Sequence, residues 1–365
     1  MKIIVTGTRG IPNIQGGVET HCEELYPRLA ALGYDITVIR RSCYVSSNNN
    51  FVEYKGVKLQ DIYAPRKKSI EAILHTFLAI CYARLKNADI LHVHAIGPAI
   101  MIPFARLLGL KVVMTHHGPD YDRQKWGRLA KMTLKYGEKM AARYSNEIIV
   151  ISNVINDILR KNYNRNYTHL IYNGVNTPLK ATGEEYIGSL GLVSHKYILT
   201  VGRFVEEKGF DLLIKVYSAL NLNDRGYRLV IAGDADHRDD YSENLKKLAR
   251  KNNIILTGFI RGEKLNEIYS HAALFVLPSY HEGLPIALLE ALSYNLDVLV
   301  SDIPANRLSC LSSADFFETG SPVALQSMLM QKLENIQLER TYDLSPYNWD
   351  HIARQIAAVY EDLKS

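Results

Sequence analysis

The sequence predicts an α/β protein of two consecutive Rossmann-like domains. Three observations support this. Short β-rich apolar runs alternate with helix-length amphipathic segments, and the alternation stops at a turn-forming run and then begins again. The length of 365 residues, 47% apolar and 22% charged, is also too great for one ordinary core and too balanced for disorder. The first series opens with a strand at 2–6, a helix at 18–32 and a strand at 35–40, a βαβ pattern, and continues with strands at 89–92, 111–115 and 147–151. The run Tyr172-Asn173-Gly174-Val175-Asn176 interrupts it. A second series follows, with strands at 197–201, 228–232, 254–257, 274–277 and 298–301. The last stretch, 349–363, spaces Ile352, Ile356, Val359 and Tyr360 as one helical face and is expected to pack back across the domains. The expected domains are therefore 1–175 and 176–345, with a closing helix in 346–365. Two such series imply two facing parallel sheets, each covered by helices on both faces. Ligands belong at the carboxyl ends of the strands, and the active site belongs in the cleft between the domains.

Composition narrows the class. Met1 runs straight into a strand and a glycine-rich loop, without the pattern of a signal peptide, which points to the cytoplasm. The nearest approach to a membrane span, 95–110, contains Gly97, Pro98, Pro103 and Arg106 and reads as a buried helix. Cys22, Cys43, Cys81 and Cys310 show no CxxC spacing, so neither a zinc site nor a disulfide framework is expected. Net charge is +5 but unevenly shared: residues 1–175 carry 24 Lys/Arg against 13 Asp/Glu, or +11, and the remainder 19 against 25, or −6. Such asymmetry fits nucleic acid, an anionic membrane, or a merely solvated basic surface. A helix following residue 117 places Arg128, Lys131, Lys135, Lys139 and Arg143 on one face, with Leu129, Met132, Tyr136 and Met140 mostly on others. That stripe suits anionic lipid or plain solvent. Nucleic acid fits poorly, because no aromatic platform or reader motif accompanies the basic residues.

The first strand leads into a loop containing Gly7, Gly10, Gly16 and Gly17, and then into a helix whose free N–H groups can face an anion. The spacing is not G-x-G-x-x-G, and the second strand ends in Arg40-Arg41 rather than an acidic residue. NAD is disfavoured, while an arginine could still hold the 2′-phosphate of NADP.

In the second half, the strand at 197–201 runs into Gly202-Arg203-Phe204-Val205-Glu206-Glu207-Lys208-Gly209. Arg203 as a fork and Lys208 as a point charge can converge on a diphosphate, or can simply pair with Glu206 and Glu207. The strand at 274–277 runs into Glu282-Gly283-Leu284-Pro285 and a helix at 286–293 that carries Glu290. Proline at the first helical position would set N–H groups near Gly283 and Leu284 as a second phosphate cradle. Glu282 and Glu290 are too far apart for a hydrolase acid/base pair and would reach different parts of one elongated ligand.

Together these residues resemble glycosyltransferase family 4, the group 1 glycosyltransferases of GT-B fold. The run from Glu282 to Glu290 looks like the family's E-x(7)-E motif. Arg203 and Lys208, the Gly16-Gly17 loop, Thr115-His116-His117-Gly118, Tyr172-Asn-Gly-Val-Asn and Ser301-Asp-Ile-Pro fall in the family's order and spacing, across nearly the whole chain. The resemblance implies a hexosyltransferase-type enzyme that moves a sugar from a UDP-, GDP- or dTDP-linked donor to an acceptor hydroxyl, with retention and with no metal or other cofactor. It implies that Arg203 and Lys208 hold the diphosphate, Glu290 the ribose, Glu282 the transferred sugar, and the backbone up to Arg261 the base. The Gly16-Gly17 loop closes on the donor, and His117 reaches the sugar, with His116 as its competitor. The subgroup with Gly-Thr-Arg-Gly-Ile-Pro and His-His-Gly-Pro-Asp-Tyr-Asp resembles bacterial enzymes of surface polysaccharide assembly, including rhamnosyltransferases. A lipid-linked saccharide acceptor, as in lipopolysaccharide or capsule assembly, is implied, with a peripheral place on the inner face of the cytoplasmic membrane.

Asp234-Ala-Asp236 matches a D-x-D metal pair but follows a strand end where the family has an ordinary loop, so no metal is expected there. No carboxylate stands out as the nucleophile of a double displacement. Same-face transfer is therefore expected, with a departing phosphate oxygen taking the acceptor proton while Arg203, Lys208 and helix N–H groups neutralise the leaving group. The alternatives are a soluble sucrose- or trehalose-type synthase or a nucleotide-sugar epimerase of the same fold. From other classes, an NADP oxidoreductase or a silent sugar-nucleotide binder remains open.

Overall fold

The computed structural model describes residues 1–47, 49–65, 71–122, 127–235 and 239–364. The chain divides into two units, Met1–Gly174 with Pro346–Ser365, and Val175–Ser345. In the first unit, β1 (Lys2–Thr6), β2 (Asp35–Arg41), β3 (Glu53–Tyr54), β4 (Val57–Ile62), β5 (Ile90–His94), β6 (Lys111–His116), β7 (Glu147–Val150) and β8 (His169–Leu170) form one sheet in the order β3-β4-β2-β1-β5-β6-β7-β8. Its pairings are parallel apart from β3 against β4. Helices α1 (Gly17–Ala31), α2 (Glu71–Leu85), α3 (Ile102–Leu107), α4 (Arg128–Tyr144) and α5 (Asn153–Tyr163) connect the strands. Ile3, Ile4 and Val5 are buried in succession, as a strand covered on both faces requires.

The second unit runs α6 (Glu185–Ser189), β9 (Tyr197–Val201), α7 (Phe210–Ala219), β10 (Arg228–Ala232), α8 (Asp240–Lys251), β11 (Ile255–Gly258), α9 (Glu263–Ser270), β12 (Leu274–Leu277), α10 (Ile286–Ser293), β13 (Asp297–Ser301), β14 (Phe316–Phe317) and α11 (Pro322–Glu334). Its parallel sheet has the order β11-β10-β9-β12-β13-β14. Buried Asp297 and Asp315 each meet Lys332 (2.6 and 2.7 Å) and Arg340, which ties β13 to α11 and the segment beyond it.

The chain then returns to the first unit. Helix α12 (Trp349–Asp362) buries Trp349, Ile352, Ile356, Val359 and Tyr360 in the same cluster as Leu25, Tyr26 and Leu29 of α1. The closing helix thereby completes the core of the first unit.

Two expectations change. Residues 95–110 form no single buried helix but a 3-10 turn, Pro98–Met101, followed by the six-residue α3, and Leu107 is 82% exposed. Pro98 and Pro103 each remove a backbone donor and stand at the starts of the two short pieces instead. Strands β3, β4, β8 and β14 had no counterpart in the sequence pattern; three of them are two residues long.

Strand order reverses direction beside β1, flanked by β2 and β5, and beside β9, flanked by β10 and β12. Ligands of open α/β sheets bind at the carboxyl ends of strands at such points.

Candidate active site

In the second unit, the loops after β9 and β12 are joined. The Tyr280 N–H donates to the Glu207 carbonyl (2.8 Å), and Lys208 Nζ lies 2.6 Å from Glu282 Oε1. Gly209 permits this approach. Its φ is +63°, and a Cβ there would stand 2.3 Å from the Pro278 carbonyl oxygen. Ser279 Oγ also donates to Glu282 Oε1 (2.7 Å), and Ser301 Oγ in turn donates to the Ser279 carbonyl. Lys208 and Glu282 are therefore a pre-oriented pair, with side chains 15% and 11% exposed. Arg203 lies half-buried on the same loop as Lys208.

Glu290 sits in the second turn of α10, where Tyr269 Oη donates to its Oε2 (3.0 Å) and the Tyr269 ring stacks on Tyr294. Pro285 is the N-cap of α10 with extended backbone, φ −74° and ψ 111°, and not its first helical residue. The helix starts one residue later than the proline position implied. Gly283 and Leu284 precede the cap, and the Leu284 side chain is buried. Arg261 follows β11 and places its guanidinium 6.0 Å from the Phe259 ring centroid. Asp234 pairs with Lys246 (2.8 Å), and Asp236 lies outside the described residues.

In the first unit the structure separates the two histidines. His116 is fully buried, and its Nε2 donates to buried Glu138 (2.8 Å) while its Nδ1 accepts the Gly118 N–H (3.1 Å). Tyr121 and Tyr163 also donate to Glu138. Both nitrogens of His116 are occupied, so it is a packing residue. His117 is only half-buried; its Nε2 meets His94 Nδ1 at 2.8 Å.

Behind His117 runs a buried hydrogen-bonded chain. His94 Nε2 contacts Tyr26 Oη, which contacts His92 Nδ1 (3.1 Å); His92 Nδ1 also meets Tyr360 Oη (2.6 Å), and His92 Nε2 meets Thr115 Oγ1 (2.7 Å). Burial pushes His92 down to about 3 and His21 down to about 4, and burial followed by mutual repulsion holds His94 and His117 well below the ordinary imidazole value. These rings are neutral. His92, His94 and Tyr26 were not singled out from the sequence, although His92-Val93-His94 on a strand puts both rings on one face.

Nitrogens of His21, His94 and His117 lie within 4.8 Å of one another, close enough to ask whether they suit a metal ion. The His94–His117 ring centroids are 5.1 Å apart, equal to the 2.8 Å N···N distance plus the two ring radii, so these nitrogens point at each other. Ligands of a shared ion point at the ion, about 2.0–2.1 Å away, and stand further apart than this. The arrangement is that of a hydrogen bond.

The glycine loop is already engaged by carboxylates. Glu19 Oε1 accepts the Arg9 N–H (3.0 Å) and the Thr8 hydroxyl (3.2 Å), and Glu23 accepts the Asn13 N–H (3.2 Å). Gly16 is needed because φ is +150° and a Cβ would lie 2.0 Å from Glu19 Oε2, whereas one on Gly17 would meet nothing. Arg40 pairs with Asp61 (2.6 Å) and buried Arg41 with Glu71 (2.7 Å). The NADP alternative thereby loses the arginines it needed.

On α4, Arg128, Lys135, Lys139 and Arg143 are exposed and Lys131 half-buried. Leu129, Met132 and Tyr136 are also 78, 60 and 52% exposed, while Met140 is buried, so the expected separation of apolar from basic faces is incomplete. No helix among the described residues is long and apolar enough to cross a membrane.

Residues 15–178 match the model for glycosyltransferase family 4, and residues 184–313 match that for glycosyl transferases group 1. An uncharacterized glycosyltransferase of Methanocaldococcus jannaschii is 24% identical over 99% of this chain and 98% of its own. Sucrose-phosphate synthase from Thermosynechococcus elongatus superposes with a TM-score of 0.84 at 20% identity, over 99% of this chain and 98% of that one. The Anabaena protein HepE in complex with UDP and glucose superposes with a TM-score of 0.80 at 15% identity, over 99% and 100%.

Proposed function

Because the chain belongs to the family 4, group 1 glycosyltransferases, with their GT-B fold, we propose that it transfers a sugar from a nucleotide diphosphate donor to an acceptor hydroxyl with retention and without a metal. The observation that carries this reading is the pre-oriented Lys208–Glu282 pair at the carboxyl ends of β9 and β12. Lys208 and Arg203 supply the positive charge that a departing diphosphate requires, aided by the N–H groups at the start of α10 near Gly283 and Leu284. Glu282, anchored by Ser279 and Lys208, accepts from hydroxyls of the transferred sugar, and Glu290, oriented by Tyr269, accepts from the ribose. Arg261 and its backbone flank the base. The UDP and glucose bound to HepE support a nucleotide-sugar donor. His117, rather than the fully occupied His116, serves the sugar, and the Gly16-Gly17 loop serves the donor or acceptor through backbone groups.

For the acceptor we assign a lipid-linked saccharide of bacterial surface polysaccharide assembly, met at the inner face of the cytoplasmic membrane. Exposed basic and apolar side chains together on α4 support peripheral docking, since charge and apolar burial add at an anionic surface. The likeness to sucrose-phosphate synthase favours a second reading, a soluble sugar-phosphate acceptor.

One assay tests these readings. The protein is incubated with UDP-, GDP- and dTDP-sugars and either a lipid-linked saccharide or soluble sugar phosphates, with and without chelator. Nucleoside diphosphate release that needs the lipid-linked acceptor, survives chelation and yields the donor's anomer supports the proposal. An inverted product or a divalent-metal requirement contradicts the mechanism, and turnover on sugar phosphates alone selects the second reading.

A further inference from the structure

We propose that the buried chain Thr115–His92–Tyr26–His94–His117 holds His117 in one tautomer, with its proton on Nδ1, so that His117 meets a ligand oxygen as a hydrogen-bond donor and not as a base. This rests on the reading of His117 as the sugar-facing histidine. Thr115, His92, Tyr26 and His94 are then positioning residues.

Counting protons gives the direction. The Thr115 hydroxyl is fully buried, and His92 Nε2 is its one partner among the described residues. A buried hydroxyl proton left without an acceptor costs about 1–3 kcal/mol. Thr115 therefore donates, and His92 Nε2 accepts. A neutral imidazole with a bare Nε2 carries its proton on Nδ1, and that N–H faces the oxygens of Tyr360 and Tyr26. Tyr26 Oη meets His92 Nδ1 and His94 Nε2, and with the first of these donating, the second is its acceptor. The Tyr26 proton is left for His94 Nε2. His94 then carries its proton on Nδ1 and donates it to His117 Nε2 along the in-line 2.8 Å contact. Only Nδ1 of His117 remains to hold a proton.

The reversed chain, with every proton turned the other way, leaves the Thr115 hydroxyl proton without an acceptor. His21 does not compete. Its Nδ1–H donates to Asn173 Oδ1 (3.0 Å), and its Nε2, buried beside His117, has no proton to offer. Burial keeps the whole set neutral, so direction rather than charge is what the chain transmits. An N–H donor at His117 complements a sugar oxygen. It also leaves the acceptor's proton to the departing phosphate.

The test is the two-bond ¹H–¹⁵N spectrum of histidine-labelled full-length protein, which reports for each ring which nitrogen bears hydrogen, with His117 assigned by the signals lost in His117→Phe. The expected result is that His92, His94 and His117 are all protonated on Nδ1. A proton on Nε2 of His117 or of His92 overturns the proposal. His94→Leu should release His117 to the mixed tautomers of free imidazole and lower turnover about ten-fold; a His117 spectrum unchanged in that variant also overturns it. Full turnover in His117→Phe, with the three Nδ1 protons in place in the parent protein, would remove the sugar-facing reading and leave the chain standing.

Discussion

The two units repeat one architecture and equip the ends of their strands in opposite ways. In the second unit the loops after β9 and β12 bring together a cation and a carboxylate, Lys208 and Glu282, each compensated by the other, with Ser279 also donating to Glu282. In the first unit β5 and β6 deliver imidazoles, and burial without a counter-charge strips them of theirs. Desolvation disfavours a charged form unless a partner offsets it. One architecture therefore carries a compensated ion pair at the strand ends of the second unit and a chain of neutral, hydrogen-bonded rings at those of the first.

The largest effect that could break this contrast lies in the second unit. Lys208→Ala and Arg203→Ala should each lower sugar transfer by about 10²–10³-fold, the range found for removing one charge-stabilising donor, while melting temperature stays within a few degrees. Near-normal turnover in both variants would remove the ion-pair half of the comparison.

A second test uses acid. His21 and His92 sit at about 4 and about 3 in the fold, below the roughly 6.5 of an unfolded histidine. As pH falls below about 6.5 the unfolded chain binds protons that the folded first unit refuses, so stability drops by up to about 1.4 kcal/mol per pH unit per histidine until the folded values are reached. In the second unit burial pushes Asp315 up, but hydrogen bonds from Arg340 and Lys332 outweigh it and hold its carboxyl well below the usual carboxylate range. Its contribution is full above about pH 4 and is lost only as pH falls towards the lowered folded value. Hydrogen exchange followed from pH 7 to pH 4 should show first-unit amides losing protection first; the opposite order would reverse the contrast.

The smallest effect concerns surfaces. Replacing exposed Lys135 and Lys139 by Gln should weaken binding to phosphatidylglycerol-containing vesicles by about 1 kcal/mol per charge at low salt. Parent protein that fails to sediment with such vesicles would refute docking through α4.

Much of this was legible in advance. β1, β9, β10 and β12 coincide with their apolar runs because a strand covered on both faces must be continuously apolar. Short edge strands such as β8 and β14 carry no such signature, being only two residues long. Motif spacing located Arg203, Lys208, Glu282 and Glu290, yet not that Glu282 leans on Lys208, since the pairing depends on Gly209 letting one loop reach the other. Nor could composition separate His116 from His117. That distinction belongs to Glu138, twenty-two residues away and on another element. Arg40-Arg41, which left the 2′-phosphate of NADP open as an alternative, form internal ion pairs whose partners Asp61 and Glu71 lie far along the chain.

The return of α12 to the first unit sets a timetable for synthesis. Residues of the second unit are contiguous and can close their core as soon as they emerge, whereas α1 must wait for Trp349, Ile352, Ile356 and Tyr360. At about 5–20 residues per second the segment between α1 and α12 takes roughly fifteen to sixty seconds to make. Throughout that interval the apolar flank of α1 lacks the cover of α12, and His92 lacks Tyr360, its hydrogen-bond partner. The first half of the chain to be made is therefore the last to be finished, and a nascent chain stalled before α12 would present that flank to chaperones.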